Sequence, residues 1–171
     1  MEPFVREAHP EDAEGMATVH IRSWRTAYRG LVPDEFLDGL SVSDRAASWR
    51  QQLVGGSGEQ HTFVADADGA VVGFASAGPS RDPFANPGTG EVYAIYVDPD
   101  AWGRGIGSTL LVRSTEHLRT RRYTSATLWV LSTNEMGRRF YERHGWKLEG
   151  ARQTYPIGGV ELEEIRYLME L

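Results

Sequence analysis

Three glycines, Gly103, Gly105 and Gly107, alternate with Arg104 and Ile106 in the stretch "YVDPDAWGRGIGSTLL", between an apolar run and a leucine-bearing one. That pattern suits anion binding. The first turn of a helix exposes amide N–H groups with no partner inside the helix, and glycine removes the Cβ that would keep a phosphate away from them. The backbone of Gly105, Ile106, Gly107 and Ser108 is therefore a candidate diphosphate cradle, to which Arg104 adds charge and Ser108 a hydroxyl. Tight strand-to-helix packing alone also favours glycine. Two other phosphate loops are excluded by residue identity. A Walker loop requires a lysine before its Ser or Thr, and Gly107 is followed directly by Ser108 and Thr109. The dinucleotide fingerprint requires a third glycine near the first strand; here Ser108 and Leu110 occupy the places for it, and the strand comes late.

The elements that must position this loop follow from periodicity. "FVREAH" suits a short first strand, and Pro10 with Glu11, Asp12 and Glu14 suits the positive end of a helix. Ala13, Met16, Ala17, His20, Trp24, Ala27 and Tyr28 fall at helical spacing and end at Gly30. "VPDEFLDGL" and "SDRAASWRQQLV" predict two more helices, the second capped by Ser43 or Asp44, and "GGSGEQ" a flexible connector. "HTFVADADGAVVGFASAG" predicts two strands turned at Asp68-Gly69. "EVYAIYVD" and "TSATLWVL" are apolar on both parities, as strands covered on both faces are; the helix between them, with Gly107, Leu110, Leu111, Ser114 and Leu118 on one stripe, implies a parallel crossover. A short helix after Asn134 ends at Gly145, and the tail predicts two long strands turned around Pro156–Gly159. The order β, helices, β, β, β, α, β, α, β, β predicts an α/β (α+β) single domain: a mixed central sheet of about seven strands with helices on both faces.

Composition narrows the functional classes. A chain of 171 residues suits one domain. No apolar run is long enough to span a membrane and no signal segment is visible, so the expectation is a cytoplasmic protein with no membrane partner. Zero cysteines exclude disulfides, thiolate chemistry and cysteine zinc sites, and no metal is expected. The formal charge of -6 argues against nucleic-acid binding and favours cationic partners.

The residues from "WGRGIG" to "NEMGRRFYERHGW" resemble the GNAT superfamily of acetyl-CoA-dependent N-acetyltransferases. The family loop Gln/Arg-x-x-Gly-x-Gly/Ala is matched at Gly105 and Gly107, with Trp102 standing where Gln or Arg is usual. Asn134, followed seven residues later by Tyr141, matches a second family feature. The resemblance spans nearly the whole chain and implies a V-shaped splay between the fourth and fifth strands. In that wedge, backbone of Ile95, Tyr96 and Val97 would hold the coenzyme arm as an added strand does, with Asn134 opposite, a residue equally suited to capping a helix. Arg138 or Arg139 would reach a coenzyme phosphate or point to solvent.

The implied reaction moves an acetyl group from acetyl-CoA to a primary amine of a small molecule or peptide, by direct attack in a ternary complex. Tyr141 is the implied proton donor to the leaving sulfur, because a phenol of pKa about 10 keeps its proton at neutral pH. Glu91 is the implied base, directly or through water, and strand parity would put it on one face with Tyr93 and Ile95; a solvated strand-end glutamate is the alternative. A backbone N–H near Ile95 or Tyr96 would meet the oxyanion. His20, on an apolar helical face, is expected to be packed and satisfied, and His61, His117 and His144 show no metal spacing. "ELEE", Glu161–Glu164, is expected at an exposed strand edge. The acceptor pocket would be built from "WRTAYRGLVPDEFLDGL", "PSRDPFANPGTG" and "QTYPIGGVE", and the last two strands would offer an edge for a homodimer. The rival reading is a non-catalytic acyl-CoA sensor.

Overall fold

Asp68 and Gly69 turn the chain with φ angles of 54° and 85°, the left-handed geometry that a two-residue hairpin needs and an Asp-Gly pair supplies. They join β2 (His61–Ala67) to β3 (Ala70–Pro79). The computed structural model describes residues 3–56 and 58–171; Ser57, within the connector anticipated at "GGSGEQ", lies outside them. Before the hairpin come β1 (Phe4–Glu7), α1 (Ala13–Ala27), α2 (Asp34–Asp38) and α3 (Val42–Gly55). After it come β4 (Thr89–Val97), α4 (Ile106–Thr120), β5 (Ser125–Leu131), α5 (Glu135–Arg143), β6 (Lys147–Ile157) and β7 (Val160–Glu170). The element order is the one the sequence predicts. One cap differs: Ser41, not Ser43 or Asp44, starts α3, its side chain accepting from the Asp44 N–H, because the helix begins a turn's fraction earlier than its polar residues suggest.

The seven strands form one sheet in the order β1-β2-β3-β4-β5-β7-β6. On one face, α1 and α3 bury Met16, Ala17 and Trp49 against Val64 and Phe74. On the other, Leu110 and Ile106 of α4 pack on Phe63 and Ala75, and Leu128, Trp146 and Tyr167 form the adjoining cluster, against which Phe140 and Tyr141 of α5 rest. Complete burial of a side chain such as Phe63, Phe74 or Leu110 stabilises the fold by roughly 1.5–3 kcal/mol.

Two features of the sheet shape the site. β4 and β5 are parallel but pair only over Thr89–Glu91 and Ser125–Thr127; beyond these residues β4 stays with β3 and β5 with β7. The strands therefore diverge, leaving facing edges without a ladder between them. Secondly, β4 carries a bulge. Val92 pairs with Ala77 and Ala94 with Ser76, so Tyr93 has no partner residue, and side-chain parity reverses there. Glu91 consequently shares its face with Ala94 and Tyr96 on the α1 side, not with Ile95 as simple alternation predicts. No helix among the described residues is long and apolar enough to cross a membrane.

Candidate active site

The divergence of β4 from β5 opens a cleft of about 480 Å³, lined on its three sides by α1 (Ser23, Trp24, Tyr28), by β4 with the glycine loop, and by α5 (Asn134, Phe140, Tyr141). Its end at the glycine loop is built as the glycines require. Gly103 and Gly105 have φ angles of 77° and 79°, and a Cβ built at either meets nothing within 4 Å. These two residues are open because the backbone turns left-handed, not because packing forbids a side chain. The Thr109 N–H is the first of α4 to bond within the helix, to Gly105 O; the amides of Gly105, Ile106, Gly107 and Ser108 precede it without helical partners. Gly107 faces the ring of Phe140 at 3.4 Å from its notional Cβ.

The β4 edge supplies the second wall. Asp98 N–H donates to Val72 O, and in an antiparallel ladder bonded and non-bonded positions alternate. Tyr96 therefore spends its backbone on β3, while Ile95 and Val97 turn their N–H and C=O groups to the open edge. Of the three residues predicted to offer backbone there, two do; Tyr96 contributes its ring. Backbone N–H donors facing the cleft are therefore available at Ile95 and Val97, not at Tyr96. Val97 O is already engaged, accepting from Ser23 Oγ at 2.9 Å and from Trp102 Nε1 at 2.8 Å. Trp102, the residue that departs from the family pattern, is thus part of the cleft wall, 37% exposed.

On the α5 wall, Asn134 Oδ1 accepts from the Gly137 N–H at 3.0 Å. The capping role is realised, and among the described residues its Nδ2 makes no hydrogen bond. Tyr141 lines the cleft two turns further on. Burial, and then the nearby Tyr96, push its phenol above the ordinary value, so it is a neutral O–H donor at any physiological pH. Arg138, one of the two arginines expected at a coenzyme phosphate or in solvent, donates through its guanidinium to Ser132 O and the Tyr167 hydroxyl, which fixes α5 to β7. Arg143, five residues on, lines the cleft instead; nine residues from Asn134, it falls on the opposite side of the helical wheel, so spacing gave no signal for it. Arg104 is exposed beside the loop and does not line the cleft.

Glu91 is 2% exposed and lies off the cleft wall. One of its oxygens accepts from the Arg81 backbone N–H and the other from the Arg81 guanidinium. His20 is packed as predicted but not satisfied: among the described residues both ring nitrogens are buried without a partner. Its ring stacks on Tyr96 at 4.4 Å, and burial lowers its pKa to about 3. The rings of His61 and His117 meet tilted, with centroids 4.0 Å apart, away from the cleft. Among the described residues there is no group of three or more His, Asp or Glu side chains suited to a metal.

Comparison with known proteins agrees with this geometry. A profile described as the acetyltransferase (GNAT) family matches residues 20–146. An uncharacterized N-acetyltransferase of Bacillus subtilis, YuaI, is 35% identical over 162 residues, covering 94% of this chain and 89% of the relative. A mycothiol acetyltransferase of Acidimicrobium ferrooxidans is 36% identical over 138 residues, covering 71% of this chain but 44% of that protein. Among solved structures, the PaiA N-acetyltransferase of Thermoplasma acidophilum in complex with coenzyme A superimposes with a TM-score of 0.78 over the whole of both chains at 20% identity. An acetyltransferase of Salmonella typhimurium with acetyl-CoA gives 0.73 at 21% identity, covering 99% of this chain and 94% of that one. At such identities these two structures share the fold.

Proposed function

This chain belongs to the GNAT acetyltransferase family, and on that premise we propose that its cleft carries out acetyl transfer from acetyl-CoA to a primary amine of a small molecule or peptide. The observation that carries this reading is the meeting, in one cleft, of the unpartnered first-turn amides of α4 with the open edge of β4. The first fits a diphosphate and the second the amide groups of an extended arm, which is the polar sequence that coenzyme A presents.

Bound acetyl-CoA supplies an activated thioester carbonyl. The chain's own groups do the rest. The amides of Gly105, Ile106, Gly107 and Ser108 neutralise the diphosphate, with Arg104 at the rim, and Asn134 Nδ2 and the Ile95–Val97 edge orient the arm. The N–H of Ile95 or Val97 meets the oxyanion as the amine nitrogen bonds to the carbonyl carbon. Tyr141 gives its proton to the departing sulfur, and its raised pKa makes it a donor that is always loaded. Glu91, held on both oxygens by Arg81, takes the amine's proton through water, not by contact. Holding both reactants in one cleft itself contributes several kcal/mol to the rate, on the order of 7.

The same reading puts the protein in the cytoplasm as a homodimer joined along β6, the exposed edge strand, where Leu148 and Tyr155 are 49% and 45% exposed; light scattering in solution tests the dimer. For the activity itself, calorimetry with acetyl-CoA and a primary-amine panel read by free thiol release are the tests. Tight binding with amine-dependent thiol release supports transfer; binding with no release across the panel supports a sensor.

A further inference from the structure

The arginines around the glycine loop and α5 differ in what their guanidinium groups already hold. Arg138 is bound to Ser132 O and the Tyr167 hydroxyl, and Arg139 pairs with Glu135 at 3.1 Å. Arg104 is exposed and off the cleft wall. Arg143 lines the cleft and, among the described residues, makes no hydrogen bond or ion pair. It is also the one charged side chain among the described residues of the lining. The loop offers no cation in its place, since Trp102 stands where Gln or Arg is usual and spends its indole N–H on Val97 O at 2.8 Å.

The place of Arg143 on α5 fixes which end of a ligand it meets. The helix turns its Gly137 and Phe140 side into the cleft, with the Phe140 ring against Gly107 of the loop. At about 100° per residue, Asn134 and Tyr141 fall on one flank of that side, and Met136 and Arg143 on the other. The first flank is where the coenzyme arm and its sulfur lie in the reading above. The loop amides, beside Phe140, take the diphosphate between the two flanks. A coenzyme A molecule laid through the cleft therefore leaves the loop by the second flank, with its nucleotide end passing Met136, 56% exposed, and the exposed Arg143. That end carries the remaining charge of the coenzyme, a phosphate monoester on the ribose.

We propose that Arg143 binds the ribose phosphate of the coenzyme, and so makes the cleft selective for coenzyme A over dephospho-coenzyme A. This rests on the acetyltransferase reading and adds a specificity-determining residue to it. The planar guanidinium presents paired N–H groups that match a phosphate in a two-bond, charge-assisted contact. The diphosphate needs no such cation, because the first-turn amides and the positive end of α4 meet it. Arg143 is exposed, so it keeps its water when no ribose phosphate is present. The discrimination is therefore a gain for the phosphorylated form and carries no penalty for the other.

The test titrates coenzyme A and dephospho-coenzyme A calorimetrically into the wild type and two variants. The wild type is expected to bind coenzyme A about tenfold more tightly than the dephospho form. Arg143→Gln should bind both with the affinity that the wild type shows for dephospho-coenzyme A, which also shows that the variant is folded. Arg139→Gln removes an equal charge from the same helix and should keep the wild-type preference. The proposal is overturned if the wild type binds the two forms equally, if the preference survives in Arg143→Gln, or if Arg139→Gln loses it as well. It is overturned too if Arg143→Gln weakens both forms alike, which would put the guanidinium on the diphosphate. Failure of the wild type to bind either form would instead remove the acetyltransferase reading beneath it.

Discussion

Tyr141 and Trp102 both line the cleft, and a single substitution tests the role proposed for each. Removing the Tyr141 hydroxyl leaves the ring packed beside Phe140 and Trp146 but takes away the proton for sulfur. Tyr141→Phe should therefore lower kcat by about a hundredfold while acetyl-CoA affinity, measured by calorimetry, stays within about twofold. Trp102 shares Val97 O with Ser23, an atom the proposed coenzyme arm would use. Trp102→Phe keeps an aromatic ring and deletes one of the two donors, so acetyl-CoA should bind a few-fold more tightly, roughly 0.5–1.5 kcal/mol per hydrogen bond removed from competition; weaker binding would mean that the indole holds the arm itself. Both residues were visible in the sequence, Tyr141 through its spacing from Asn134 and Trp102 as a departure from the expected Gln or Arg. What the sequence did not reveal was the pairing of Arg138 with Ser132 and Tyr167, or of Glu91 with Arg81, which depends on residues brought together only by folding.

At the level of elements, the α4 start and the α1 face each carry a measurable consequence. Gly105 has a φ of 79° with free space around it, so Gly105→Ala introduces backbone strain without a clash, about 1–2 kcal/mol, seen as a lower Tm. The added methyl group also crowds the cradle, and coenzyme A affinity should fall more steeply than stability does. On α1, His20 is buried neutral. Its folded pKa, about 3, lies below the ordinary 6.5, so as pH falls below 6.5 the unfolded chain takes up a proton that the folded chain refuses. Stability contributed at neutral pH is lost progressively down to about 3, with a slope of about 1 kcal/mol per pH unit. Urea unfolding at a series of pH values should show that slope in the wild type and a shallower one in His20→Phe; equal slopes would contradict the assignment. Element types and order were legible because each follows from local periodicity: the α4 stripe, the Asp68-Gly69 turn, the doubly apolar β4 and β5. The bulge at Tyr93 was not, since it is set by pairing with β3, and it reversed the face on which Glu91 stands. For the same reason the interior place of β7 was hidden, because strand order is a property of the sheet and not of the strand.

For the whole molecule, the cleft is a consequence of topology. A parallel β4–β5 pair inside an otherwise antiparallel sheet, joined through α4, brings the end of β4, the α4 amides and the α5 cap to one opening. The net charge of -6 favours cationic partners at the surface in general. The most direct measurement is a crystal structure of the protein with coenzyme A. The account requires diphosphate oxygens within about 3 Å, hydrogen-bonding reach, of the amides of Gly105, Gly107 and Ser108, with the arm along Ile95 and Val97. Coenzyme A bound elsewhere, or lying in the cleft without touching those amides, would contradict it.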